Sequence, residues 1–232
     1  SSFKVYAYAA ALEQGFTPFD TILDAPLTVM SGGQPYSPHN YDERFEGNIT
    51  LRRALADSRN VPAIRLAEKI GINSVVEMAH RFGITSPLPP YLPIVLGAAD
   101  LNLMEHTSAF TVFPDDGIRI DPHLIRRVTT YDGAVLEQTR PNIRDVIAPD
   151  VARTMVAMLQ DVINIGTGQQ AKALMRPAGG KTGTTNNFTD AWFMGFTPQL
   201  TTGVWVGFDD KAISLGKGET GARAALPIWI EF

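Results

Sequence analysis

Three short patterns carry side chains that could share one reaction. Ser1 and Lys4 stand in S-x-x-K spacing at the start of "SFKVYAYAAALEQG". Residues three apart on a helix share a face, so the amine can reach the hydroxyl. A helix N-terminus favours negative charge, which suits a nucleophile. A serine hydroxyl needs a base within hydrogen-bond reach, and a lysine can be that base when burial or a second cation lowers its pKa. Ser58 and Asn60, in "SRN", fall at the junction of two expected helices. On an extended link they point the same way, and a hydroxyl with a carboxamide can relay a proton and hold a peptide group. "GGKTGTT", residues 179–185, offers a cation in Lys181, hydroxyls for a carboxylate in Thr182 and Thr184, and close backbone approach at Gly183.

Each pattern alone has an ordinary reading. S-x-x-K recurs as Ser214–Lys217, where Gly216 and a strand-like approach mark a chance match. Ser58 or Asn60 could cap the following helix. The Gly-rich stretch could be a surface hairpin. It is not a phosphate loop, because that pattern needs Gly where Met175 stands and a helix to follow.

The elements around them predict an α+β fold. The first helix stops at Gly15, and residues 20–48 read as a long ordered loop. Thr50 is expected to cap "LRRALAD" and Pro62 to lie in the first turn of the next helix. Further helices are expected over "NSVVEMAHRFG", over "LNLMEHTSAFTVFPDDG" as far as Pro114, and over "PDVARTMVAMLQDVIN". "GGKTGTT", "DAWFMGFTP" and "LTTGVWVGFDD" predict successive antiparallel strands, and "LPIWIEF" the start of a helix. Residues 1–232 are expected to form one domain, mainly helical over 1–165 and sheet over 176–232.

The chain has 232 residues, 44% hydrophobic and 19% charged, enough to bury a sizeable core. A net charge of −4 without a long Lys/Arg run argues against nucleic acid as a partner. No stretch approaches the roughly 18 apolar residues of a membrane helix. With no cysteine there is neither a disulfide nor a thiolate. His39, His80, His106 and His123 are scattered without metal spacing, so no metal and no cofactor are expected. The absence of G-x-S-x-G argues against a Ser-His-Asp hydrolase.

S-x-x-K, S-x-N and K-T-G, in that order on helix start, helix junction and strand, resemble the motif set of penicillin-binding proteins and class A β-lactamases. Arg59 stands where the S-D-N form has Asp; the outer two residues carry the chemistry. Longer stretches extend the likeness: "YSPHNYDERFEGNITLRRALADSRNVPAIRLAEKIG", "GGKTGTTNNFTDAWFMGFTPQLTTGVWVGFDD" and "TGARAALPIW". The whole chain resembles the transpeptidase domain of class A penicillin-binding proteins, the bifunctional peptidoglycan synthases. No E-x-x-L-N pattern is present, which favours a slow-deacylating transpeptidase over a β-lactamase.

That resemblance implies an antiparallel sheet flanked by helices, as in the penicillin-binding-protein and serine β-lactamase fold. It implies that the strands usually preceding the nucleophile, the closing helix, the glycosyltransferase domain and the membrane anchor lie outside this chain. It implies roles as well. Ser1 would be acylated, Lys4 would take its proton, and Ser2 would be a bystander. Lys181 would keep Lys4 neutral and bridge to Ser58, which would pass a proton to the leaving group. Asn60 would bind the donor's amide side, and Thr182 and Thr184 its carboxylate. Backbone N–H groups of Ser1 and Thr184 would form the oxyanion hole. The partners implied are stem pentapeptides, as D-Ala-D-Ala donor and amine acceptor, and β-lactams, at the outer face of the bacterial cytoplasmic membrane. A companion chain carrying the upstream residues would complete the domain. Two rivals share parts of the pattern. A β-lactam sensor would be acylated without turnover. A hydrolase using its first residue's α-amine as base fits Ser1 but leaves Lys4, Ser58, Asn60 and Lys181 unexplained.

Overall fold

In the computed structural model, which describes residues 1–185 and 187–232, Lys4–Glu13 form helix α1, buried on every side from Lys4 to Ala11. A helix apolar all round belongs inside the molecule. The segment 20–48, expected to be a loop, carries four short strands: β1 (Thr21–Asp24), β2 (Val29–Ser31), β3 (Gln34–Tyr36) and β4 (Gly47–Thr50). β1 pairs with β4 and β2 with β3, both antiparallel. Gly32 and Gly33, both at positive φ, make the tight turn between β2 and β3. Strands this short show too little alternation to stand out in the sequence.

Three helices follow: α2 (Leu51–Ala56), α3 (Asn60–Ile70) and α4 (Ile72–Arg81). Thr50 caps α2, its hydroxyl accepting from the Arg53 N–H. Helix α5 (Leu103–Phe110) stops short of the expected Pro114, which disfavours helical backbone at the residue before it. Between it and α6 (Pro149–Asn164), inside the part expected to be mainly helical, lie β5 (Ile118–Ile120), β6 (Arg127–Thr129), β7 (Val135–Gln138) and β8 (Ile143–Asp145). They form two antiparallel pairs, β5 with β8 and β6 with β7.

The three strands predicted last are β9 (Gly179–Thr184), β10 (Asp190–Phe196) and β11 (Thr201–Gly207), and α7 (Leu226–Glu231) follows. They make one antiparallel sheet in the order β11-β10-β9. Alternate residues of β10 serve two cores, as the strand period of two requires. Met194 and Phe196 join the large helical core, and Ala191 and Phe193 pack with Trp229 of α7. Helix α1 packs on α3, α4 and α6, and α6 packs on β9. The fold is α+β, and the start of α1 lies between the α2–α3 junction and β9.

Candidate active site

Lys4 sits in the first turn of α1 and is fully buried. The Ser1 hydroxyl, one turn earlier, lies 3.0 Å from the Ser58 hydroxyl. Ser58 joins α2 to α3 at φ 56°, a left-handed conformation that costs a non-glycine residue energy. The link is therefore not the extended one considered from the sequence. The turn aims both the carbonyl and the hydroxyl of Ser58 at Lys4, whose Nζ donates to the carbonyl at 2.6 Å and lies 3.3 Å from Oγ. Lys4 also donates to Asn60 Oδ1 at 2.6 Å. From the sheet, Lys181 donates to Ser58 Oγ at 2.7 Å and to the Thr182 carbonyl at 3.1 Å. The Ser58 hydroxyl is thus the shared contact of Ser1, Lys4 and Lys181. Among the described residues, Ser1 Oγ bonds to Ser58 and not to Lys4.

Two buried amines so placed cannot both hold their protons comfortably. Burial pushes Lys181 down to about 7. Lys4 falls well below its ordinary value, first through burial and then through the charges of Lys181 and Arg59. With two protons, Lys4 matches its two close carbonyl acceptors, the Ser58 backbone and Asn60 Oδ1. Its lone pair then faces the Ser58 hydroxyl. With a third proton it bonds the same three oxygens, so protonation needs no rearrangement.

The remaining predicted residues line β9. Thr182 is buried, with its hydroxyl 2.7 Å from that of Thr167. Thr184 Oγ1 accepts from the Gly221 N–H at 3.0 Å and keeps its own proton to donate. A Cβ on Gly183 would lie 2.9 Å from Trp192 Cβ and 3.2 Å from Ser2 Oγ. The glycine therefore admits the start of α1 against β9. Asn60 Nδ2 donates to the His39 carbonyl at 2.8 Å, leaving one N–H free among the described residues. The second S-x-x-K match lies elsewhere, with Ser214 Oγ bonded to the Asn187 carbonyl.

Several framework residues have no signal in the sequence. Asn60 does not cap α3; its own N–H and that of Val61 donate to Asn40 Oδ1 at 2.9 and 3.2 Å. Asn40 Nδ2 in turn donates to buried Asp24 at 2.7 Å. Arg59, the middle residue of S-x-N, points away from Ser1 into this cage of Asp24, Asp42 and the Arg44 carbonyl. On the other flank, His106 is fully buried, its Nε2 2.9 Å from Ser2 Oγ and its Nδ1 2.8 Å from Tyr6 Oη. Burial pushes His106 down to about 3, so the ring is neutral. An opening of about 370 Å³ beside Ser1 is also lined by Thr184, Asp190 and Trp192. A larger groove of about 970 Å³ between α5 and β11 contains none of the predicted residues. Among the described residues no cluster of His, Asp and Glu could hold a metal, and no helix is long and apolar enough to cross a membrane.

Residues 1–212 match the family model described as "Penicillin binding protein transpeptidase domain". The chain is similar over its whole length to penicillin-binding protein 1A of Aquifex aeolicus (42% identity, 32% of that protein) and of Neisseria gonorrhoeae (37%, 30% of that protein). It thus spans about a third of the length of these curated relatives. It is also similar to the crystal structure of penicillin-binding protein 1A from Haemophilus influenzae, with TM-score 0.93 and 31% identity over 99% of this chain and 40% of that one. PonA1 of Mycobacterium tuberculosis, in complex with penicillin V, gives TM-score 0.86 and 30% identity over 99% of this chain and 66% of that one.

Proposed function

This chain belongs to the penicillin-binding protein transpeptidase family, and we propose that it cross-links peptidoglycan stem peptides by acyl transfer through Ser1. The observation that carries this reading is the Ser58 hydroxyl, which touches Ser1 Oγ, Lys4 Nζ and Lys181 Nζ together. The Ser1 proton passes to Ser58 as the Ser58 proton passes to the lone pair of Lys4. Ser1 Oγ then attacks the carbonyl carbon of the penultimate D-Ala. Backbone N–H groups of Ser1 and Thr184 receive the oxyanion. As the C–N bond breaks, Ser58 protonates the departing D-Ala amine and is itself reprotonated by Lys4. An amine of a second stem next attacks the acyl-serine, loses its proton along the same route and frees Ser1.

Lys181 orients Ser58; burial chiefly keeps Lys4 neutral, and the charge of Lys181 adds to this when Lys181 is protonated. Thr182 and Thr184 face the donor carboxylate, and the free N–H of Asn60 the donor's amide carbonyl. A β-lactam acylates Ser1 in the same way, but its ring nitrogen stays tethered and blocks the second amine. The reaction belongs at the outer face of the cytoplasmic membrane, where that substrate lies. The test is the intact mass of the protein after benzylpenicillin, followed by peptide mapping. An adduct of one whole penicillin on Ser1, absent in Lys4→Ala, is expected. An adduct on any other residue, or none on folded protein, overturns the reading.

A further inference from the structure

The segment after β11 reaches back to the strand that lines the cleft. Gly221–Ala225 form one π-helical turn that leads into α7. The first N–H groups of a helix have no partner within it. That of Gly221 finds one in the Thr184 hydroxyl, 3.0 Å away and 37 residues earlier in the sequence. Thr184 is the last residue of β9, the strand that carries Lys181 and Thr182.

Only glycine brings the N–H this close. Gly221 is buried, and a Cβ on it would lie 2.3 Å from the Trp192 carbonyl oxygen and 2.5 Å from that of Gly183. Both oxygens belong to the backbone of β9 and β10, where Trp192 and Gly183 stand in register, so neither can swing aside as a side chain would. The turn is also held from its far side. The Thr220 carbonyl accepts from the N–H groups of Arg223 and Ala224 at 2.9 and 2.8 Å. Trp229 of α7 packs edge-on against Phe193 of β10, with ring centroids 5.0 Å apart.

This bond decides what the hydroxyl can offer. A threonine hydroxyl has one proton and two lone pairs, and a backbone N–H can only donate. Gly221 therefore occupies a lone pair and leaves the Thr184 proton to be given elsewhere. Released from Gly221, the hydroxyl would rotate freely and lose that bias. A carboxylate can only accept, and a donor fixed in advance binds it at a lower entropic cost than a free rotor.

Resting on the transpeptidase reading above, we infer that Gly221 is a positioning residue for donor recognition, its N–H fixing the Thr184 hydroxyl as a donor to the substrate's carboxylate. Gly221 acts through Thr184 and takes no part in proton transfer.

The test uses the intact protein and two β-lactams, benzylpenicillin and its methyl ester, which differ only at the carboxylate. The readout is the ratio of their second-order acylation constants at Ser1. Damage to the fold or to the oxyanion hole slows both compounds and leaves the ratio unchanged. In Gly221→Ala the preference for the free acid should fall about tenfold, the scale of one hydrogen bond to a charged group. An ester in place of the Thr220–Gly221 peptide bond removes only the N–H and adds no volume, and it should lower the ratio by the same factor. In a Thr184→Val background Gly221→Ala should lower the ratio no further. A ratio within twofold of wild type in both altered proteins overturns the inference, as does a fall that persists in full in the Thr184→Val background. Wild-type protein that neither compound acylates instead overturns the transpeptidase reading.

Discussion

Arg59 lies on Asp24 with Nε and Nη2 at 2.9 and 2.8 Å from the same carboxylate oxygen, both side chains out of solvent. This pair joins the strand-bearing segment 20–48 to the junction that carries Ser58 and Asn60. Removing one partner of a buried pair leaves the other charged and unmatched, at a cost of about 3–5 kcal/mol. Arg59→Met should lose stability on that scale in denaturant unfolding, and Asp24→Leu less, because Arg59 keeps Asp42 at 2.9 Å. The double variant should recover most of it, giving a clear coupling energy in the cycle.

Ser58→Ala and Lys4→Ala would remove two stations of the proposed proton route. Each should slow acylation of Ser1 by about 10²–10⁴-fold, the range of general acid–base catalysis. The double variant should be no slower than the worse single one, because the route is already broken. Losses that multiply in stopped-flow acylation would mean that Ser58 and Lys4 act separately.

Lys181 costs the fold stability at neutral pH. Its folded pKa, about 7, lies below the ordinary lysine value. Between those two pH values the unfolded chain holds a proton that the folded one does not, so stability rises with pH across that window. Lys181→Met should abolish acylation yet raise the melting temperature at pH 7. Its advantage should shrink as pH approaches 10, which melting curves at the two pH values will measure.

The three patterns that meet around the Ser58 hydroxyl were legible because each is short, ordered along the chain and tied to one element. α6 and the strands β9, β10 and β11 were legible because they are long or rich in β-formers. The eight short strands were not, since three or four residues cannot display a period. The cage around Arg59 was hidden for a different reason. Asp24 is 35 residues from Arg59 in sequence, and nothing local to either names the other. The same holds for Asn40, which caps α3 from 20 residues away. His106, read only as an ordinary histidine, proves to bond Ser2, next to Ser1, from 104 residues along the chain.

His106 makes the last prediction, an acid sensitivity with a definite sign. Its folded pKa is about 3, pushed down chiefly by burial, against an ordinary value near 6.5. Above the ordinary value neither state binds the proton, and the contribution to stability is whole. As pH falls below it the unfolded chain is protonated and the folded one is not, so stability drops until the folded pKa is reached. From pH 7 to pH 5 this single group should cost about 2 kcal/mol. His106→Gln, which keeps polar atoms beside Ser2 and Tyr6 without titrating, should flatten that part of the curve. Unfolding free energies at pH 5, 6 and 7 for the two proteins test this directly. Parallel curves would show that the acid sensitivity resides elsewhere.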